Sequence, residues 1–216
     1  MMDSTADSTA VTETRLTHDV HRVATNLLVE AANRPSVPIG ALAQLRDFLV
    51  AHLRHHHESE DHDLWPRISK IAPDATQGLD ALSGEHDLLD AALDRLAATG
   101  LPGSDVENET FRTAVRDAAV AVRDTVHKHL DHEEPILFPA LREHISPAEW
   151  TQFAQHVIAT TPPVAGHLMI GFLDEVGTPA EVELVLSGLP EVVHPLVPLM
   201  RMQATDELRV LRGARS

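Results

Sequence analysis

Two eleven-residue segments decide the fold, because they repeat one pattern. Residues 56–66 read HHESEDHDLWP, and residues 129–139 read HLDHEEPILFP. Both fit H-x-x-x-E-(D/E)-x-x-L-(W/F)-P, and matched positions are 73 residues apart. Residues four apart lie on one face of a helix. The repeat therefore predicts two helices that each turn an imidazole and a carboxylate toward one point, through the pairs His56–Glu60 and His129–Glu133.

The apolar spacing around the repeats is helical, and no segment between residues 15 and 143 alternates as a strand would. This spacing predicts four helices, over residues 16–33, 39–66, 74–99 and about 111–139, with a loop over residues 100–105. Thr17 is the predicted N-cap of the first helix, and Pro66 should kink or end the second. We expect an all-α chain. Its predicted parts are a disordered leader (residues 1–15), an up-down four-helix bundle (residues 16–144) and a proline-divided extension of short helices (residues 145–216).

The composition restricts the chemistry. The chain has 15 His, no Cys and a formal charge of −16. The absence of Cys excludes disulfides, thiolate zinc sites, iron–sulfur clusters and cysteine nucleophiles in this chain, so a metal must bind nitrogen and oxygen. The acidic charge argues against nucleic acid binding, and no apolar run is long enough for a membrane helix. We expect a cytoplasmic protein, because the first 14 residues do not resemble a signal peptide.

Each repeat follows a helix that carries another histidine. His86 lies 43 residues before His129, and His21 lies 35 residues before His56, with His18 as the alternative on the same helix. Buried carboxylates and imidazoles are costly unless they are paired or bound to metal. The predicted metal ligands, which suit two iron-like ions bridged by carboxylates, are His21, His56, Glu60, His86, His129 and Glu133.

The order of these residues, with LWP or LFP after each H-x-x-x-E pair, resembles the hemerythrin-like (HHE cation-binding) family over about residues 17–143. The resemblance implies a four-helix bundle that holds two non-haem Fe ions, oxo- or hydroxo-bridged, and meets O₂, H₂O₂ or NO. It favours His21 over His18, because His21-Arg22 and the distance to His56 look like the family's first-helix motif.

The chain departs from the oxygen carriers of that family, which use five His, two of them four residues apart on the third helix. Here the position four after His86 is Asp90. One iron would therefore have fewer nitrogen ligands, or would recruit Asp90, Glu85, His52, water or another residue. This favours redox turnover, such as peroxide decomposition or an O₂-dependent oxidation, or sensing, over oxygen transport. The alternative is a non-catalytic metal or oxygen sensor or an iron buffer whose C-terminal helices respond to the metal state.

Other residues have lesser predicted roles. We expect His55 and His57 to face solvent or the surroundings of the ligands, and Asp61 and Glu134 to accept hydrogen bonds from ligand imidazoles. The apolar segment 164–173 suggests a dimer interface, so we expect a monomer or a weak homodimer.

Overall fold

The computed structural model describes residues 7–100 and 107–214, and every regular element in those ranges is helical. The α-helices are α1 (Thr9–Ala32), α2 (Ile39–Ser59), α3 (Trp65–Ile71), α4 (Thr76–Ala97), α5 (Glu107–His144), α6 (Pro147–Thr160), α7 (Gly166–Val176), α8 (Pro179–Ser187) and α9 (Val197–Leu211). None of the described helices combines the length and the apolarity that crossing a membrane requires. The all-α prediction is confirmed.

The long helices surround the main hydrophobic core. α1 packs against α2 and α5, and α4 packs against the same two helices. Their buried stripes include Leu28, Leu49, Leu89 and Val122. Burial of such side chains stabilises the packing by about 1.5–3 kcal/mol each. The predicted helices therefore bring both repeats to the interior. The loop predicted over residues 100–105 falls largely outside the described residues.

The first helix begins at Thr9, earlier than the sequence predicts. Ser8 is its N-cap and accepts a hydrogen bond from the Val11 backbone N–H, whereas the Thr17 hydroxyl donates to the Glu13 carbonyl inside the helix. The expected leader is therefore wrong for residues 9–15. These residues are helical because Ala10 and Val11 are buried in a second core. Residues 1–6 lie outside the described part of the chain.

A π-helical turn over Glu60–Leu64 carries the chain past the proline of the first repeat. The Trp65 backbone N–H donates to the Glu60 carbonyl, five residues back. Pro66 then stands in the first turn of α3, where its missing N–H is not needed, so the chain stays helical to Ile71. π-Helical turns inside α-helices often lie at functional sites. In the second repeat, α5 runs through Pro135 and Pro139 as one helix.

The C-terminal helices share cores with the first part of the chain. Trp150 and Phe153 of α6 join the second core, with Trp65 of the first repeat. α7 and α9 pack together and contact α1 and α2, which places Leu168 and Phe172 in the main core. The apolar side chains of residues 164–173 that suggested a dimer interface are thus largely used inside the chain.

Candidate metal centre

The interior between α1, α2, α4 and α5 holds two groups of possible metal ligands. Within each group the donor atoms lie within 4.8 Å of one another. The first group is His18, His56, Glu60 and Glu133, and the second is His57, His86 and His129. All are buried except the side chain of His56, which is 13% exposed. The site therefore lies inside the protein and is most open at His56.

The two glutamates link the groups. Oε1 of Glu60 lies 3.3 Å from Nε2 of His56, and its Oε2 lies 3.6 Å from Nε2 of His86. Oε1 of Glu133 lies 3.5 Å from Nε2 of His18, and its Oε2 lies 3.2 Å from Nε2 of His129. Each carboxylate thus turns one oxygen to each group, which is the arrangement of a bridging ligand.

Three of the imidazoles are oriented by carboxylates outside the groups. A carboxylate accepts but does not donate when ionised, so the Nδ1 that contacts it carries the hydrogen and leaves Nε2 as a lone pair toward the site. The pairs, with their Nδ1 to oxygen distances, are His86–Asp61 (2.8 Å), His18–Glu134 (3.1 Å) and His129–Glu85 (3.1 Å). The acceptor contacts predicted for Asp61 and Glu134 are present.

The buried donor atoms fit a cation. Nε2 of His86 and Nε2 of His129 lie 3.1 Å apart, and when both rings are neutral and donate from Nδ1 to a carboxylate, two lone pairs face each other. An unpaired buried polar atom costs about 1–3 kcal/mol. Within the two groups, the buried atoms without a hydrogen-bond partner are Nε2 of His18, Nε2 of His56, Nδ1 of His57, Oε2 of Glu60 and both carboxylate oxygens of Glu133. Metal ions bound between these atoms would satisfy them together.

The electrostatics of these side chains agree with a bound cation. Burial, reinforced by the charge of Glu133, raises the pKa of Glu60 well above its usual value. Burial and the neighbouring histidines lower the pKa of His56 and His57 well below theirs. Burial opposes charge on His129, but Glu133 and Glu85 outweigh it and raise the pKa of that imidazole. Without a cation the site disfavours two ionised carboxylates, and bound cations would remove that penalty.

The structure brings five of the six predicted ligands into these groups. The exception is His21, which is 1% exposed and whose ring centroid lies 4.8 Å from that of His56. Its Nδ1 has no hydrogen-bond partner. His18 stands in the first group instead, and the repeat gives a reason. Asp61 follows Glu60 and orients His86, and Glu134 follows Glu133 and orients His18, so His18 is the counterpart of His86.

His57 lies in the second group, although we expected it to face solvent or the surroundings of the ligands. It is 2% exposed, and its ring stacks on His86 with centroids 4.4 Å apart. The aligned position of the second repeat is Leu130, which is also buried. That apolar residue was the signal in the sequence, because it marks the position after the first histidine as one that faces the interior.

The other residues considered for completing the site lie elsewhere. Asp90 is exposed. Glu85 accepts from His132 as well as from His129 and joins neither group. His52 is buried, and its Nε2 lies 3.1 Å from the carbonyl of Val164. The additional imidazole therefore comes from the first repeat itself.

Comparison with known proteins agrees with this geometry. A model of the hemerythrin HHE cation binding domain matches residues 9–141, more than half of the chain. Comparisons with curated proteins and with solved structures found no match. The matched range contains both repeats and all seven residues of the two groups. The chain therefore belongs to the hemerythrin HHE cation-binding domain family, whose members typically bind iron.

Proposed function

We propose that α1, α2, α4 and α5 form an up-down four-helix bundle that holds two iron ions, bridged by Glu60, Glu133 and an oxo or hydroxo group. The observation that carries this proposal is that each of the two carboxylates turns one oxygen to each histidine group. Nitrogen and carboxylate donors suit iron, and carboxylate-bridged pairs of ions in helix bundles are an established arrangement.

The two positions would differ in their protein ligands. His18 and His56 serve one ion, and three histidines serve the other. The ion with fewer protein ligands keeps more open positions for a small molecule. His56 is also the most exposed side chain of the set, so access is easiest on that side. We therefore place the binding of O₂, H₂O₂ or NO at the His18–His56 position.

Bound iron would supply Fe(II)/Fe(III) redox chemistry there. With His57 the site has five imidazoles, so a low number of nitrogen ligands no longer argues against oxygen transport. We nevertheless propose redox turnover or sensing, because His21 places an imidazole with an unpartnered Nδ1 beside His56. A polar group there can form a hydrogen bond to a bound small molecule and assist its reaction.

The proposal is tested by metal analysis of the purified chain. We expect about two iron ions per chain and a near-ultraviolet absorption band of an oxo bridge. His56→Ala should lower both the iron content and the melting temperature of the iron-loaded protein. Protein that takes up no iron, with melting unchanged by His56→Ala, would overturn the proposal. Consumption of H₂O₂ by the loaded protein supports turnover, whereas reversible oxygenation without consumption supports transport.

A second candidate, a sensor whose C-terminal helices respond to the metal, is favoured by two hydrogen bonds of α2. Nε2 of His52 bonds the Val164 carbonyl, and Nε2 of His55 lies 2.9 Å from the Thr160 hydroxyl. Both histidines are within one turn of His56, so a shift of α2 would reach the connection between α6 and α7. Limited proteolysis separates the candidates, since a sensor should change its cleavage pattern within residues 145–216 when iron binds.

A further inference from the structure

The three carboxylates that orient the imidazoles are themselves held by different groups. The Ser83 hydroxyl donates to Asp61 at 2.5 Å. Nδ1 of His132 contacts Glu85 at 2.8 Å. Nη1 of Arg22 donates to Glu134 at 2.6 Å. Arginine stays protonated in proteins, so Glu134 is the one of these three carboxylates that is paired with a permanent positive charge.

Arg22 acts on the same oxygen that orients the histidine. Oε1 of Glu134 accepts from Nη1 of Arg22 and from Nδ1 of His18, at 3.1 Å. The guanidinium is fixed in turn by two other carboxylates, with Nη2 at 3.3 Å from Asp131 and Nη1 at 3.6 Å from Asp19. The side chains of Arg22 and Glu134 are only 23% and 24% exposed. A charge-assisted bond that is partly shielded from water holds its geometry more firmly than a fully exposed pair.

We infer that Arg22 is a positioning residue for the metal site, which acts on His18 through Glu134. It keeps Glu134 where Nδ1 of His18 must donate to it, so that Nε2 of His18 faces the site. It also draws negative charge from Glu134. A carboxylate acceptor makes an imidazole a stronger ligand. His18 therefore gives less electron density to a metal than His86 does, because Asp61, which orients His86, accepts from the neutral hydroxyl of Ser83.

The inference rests on the proposed iron centre, and it predicts that the two iron positions differ in reduction potential. An ion bound by His18 receives less electron density than one bound by His86, which favours its ferrous state. Arg22 thus raises the reduction potential of the position where we place the small molecule. If Arg22 and Glu134 formed only a surface ion pair, Arg22 would have little effect on the reduction potential, because such pairs have little effect beyond the two side chains.

The experiment separates placement from charge with three variants of the full chain. Arg22→Ala removes the hydrogen-bond donor that places Glu134 and also removes the positive charge. Arg22→Gln keeps a hydrogen-bond donor but removes the charge, and Arg22→Lys keeps the charge. Arg142→Gln is the matched control, because Arg142 also lines the cleft beside Glu134 but pairs with Asp7. Anaerobic Fe(II) titration gives the affinity, and redox titration of the loaded protein gives the midpoint potential.

We expect Arg22→Ala to weaken Fe(II) binding about ten- to a hundred-fold, as removal of such outer partners does. Arg22→Gln should favour Fe(III) over Fe(II) about ten-fold more than the native chain does, which lowers the potential by about 59 mV. Arg22→Lys should return the potential toward the native value, and Arg142→Gln should leave both quantities unchanged. In a Glu134→Gln background, Arg22→Gln should no longer shift the potential.

Two outcomes overturn the inference. One is an Arg22→Gln variant that matches Arg142→Gln in potential while Arg22→Ala keeps native Fe(II) affinity. The other is an Arg22→Lys variant whose potential shifts as far as that of Arg22→Gln, since charge would then not be the cause. Failure of the underlying iron proposal is distinguishable, because the native chain would then bind no iron before any variant is compared.

Discussion

His57 occupies the position that Leu130 holds in the second repeat, and both side chains are buried. The Nδ1 of His57 has no hydrogen-bond partner, and a buried polar atom of this kind costs about 1–3 kcal/mol when no metal binds it. We therefore expect His57→Leu to raise the free energy of unfolding of the metal-free protein and to lower its iron content. Urea unfolding and metal analysis measure the two effects.

The control for this prediction is His62→Leu. His62 is exposed, and its Nδ1 hydrogen-bonds to the carbonyl of Glu58 one turn back, so its replacement should leave iron content and stability nearly unchanged. Native iron content in His57→Leu would show that His57 is not a ligand.

The choice between His18 and His21 gives a second prediction for single residues. His18 stands 3.5 Å from Glu133 and is oriented by Glu134, whereas His21 belongs to neither donor group. We expect His18→Asn to weaken Fe(II) binding at least ten-fold more than His21→Asn does. Parallel anaerobic Fe(II) titrations check this. The reverse order would restore the sequence-based choice of His21.

The stability of the metal-free protein should depend on pH. Burial, with neighbouring positive charges, lowers the pKa of His21, His56 and His57 well below 6.5, so below about pH 6.5 the unfolded chain binds protons that the folded chain does not. Stability is then lost as pH falls. Glu60, with its raised pKa, acts in the opposite sense, because the folded chain keeps its proton above 4.5.

His129 does not change this sign, because the stability from its raised pKa is fully present below 6.5 and is lost only at higher pH. His52, His55 and His86 also have lowered pKa values and act in the same sense as His21, His56 and His57. The histidines therefore outweigh Glu60, and unfolding takes up protons as pH falls below about 6.5. Urea unfolding of metal-free protein between about pH 6.5 and pH 5.5 measures the slope. A flat or rising stability on acidification would contradict the prediction.

At the scale of elements, the crossing of α7 and α9 depends on one glycine. A Cβ added to Gly171 would lie 2.6 Å from Cβ of Ala204 and 3.0 Å from Cδ1 of Leu208. We expect Gly171→Ala to destabilise the protein by about 1–3 kcal/mol through overpacking. Ala204→Gly alone costs about 1 kcal/mol for a helix interior.

The double variant tests that contact. Because Ala204→Gly removes the atom that Gly171→Ala would strike, the two changes together should cost less than the sum of their separate effects. Chemical denaturation of the four proteins forms the cycle. Simple additivity would show that the two positions do not meet.

The periodicity of apolar residues predicts the helices only in part. Apolar spacing placed the four long helices, because spacing along one helix is a local property. It did not place the π-helical turn at Glu60–Leu64 or the start of α1. These depend on the packing of distant residues, such as Trp150, which shares the second core with Ala10 and Val11.

At the scale of the whole molecule, the C-terminal helices and the first part of the chain should unfold together. Phe172 of α7 is fully buried in the main core, with its ring centroid 5.9 Å from that of Phe48 in α2. We expect Phe172→Ala to cost about 3–5 kcal/mol and to lower the stability of the entire protein in one transition. Calorimetry and circular dichroism check this.

Leu199→Ala is the control, because Leu199 is 62% exposed on α9 and its loss should change stability by about 0.5 kcal/mol or less. The prediction fails if Phe172→Ala produces a separate early transition while the melting of the remaining helices keeps its native midpoint.

The sequence by itself determined the helical class, the family resemblance and the central pairs His56–Glu60 and His129–Glu133. These follow from spacing within single helices, where residues four apart share a face whatever surrounds them. Only the tertiary structure placed His18 rather than His21 in a donor group, brought His57 to the site and packed α7 into the main core. Those outcomes depend on how each helix is rotated against its neighbours, which is set by the packing of all the helices together.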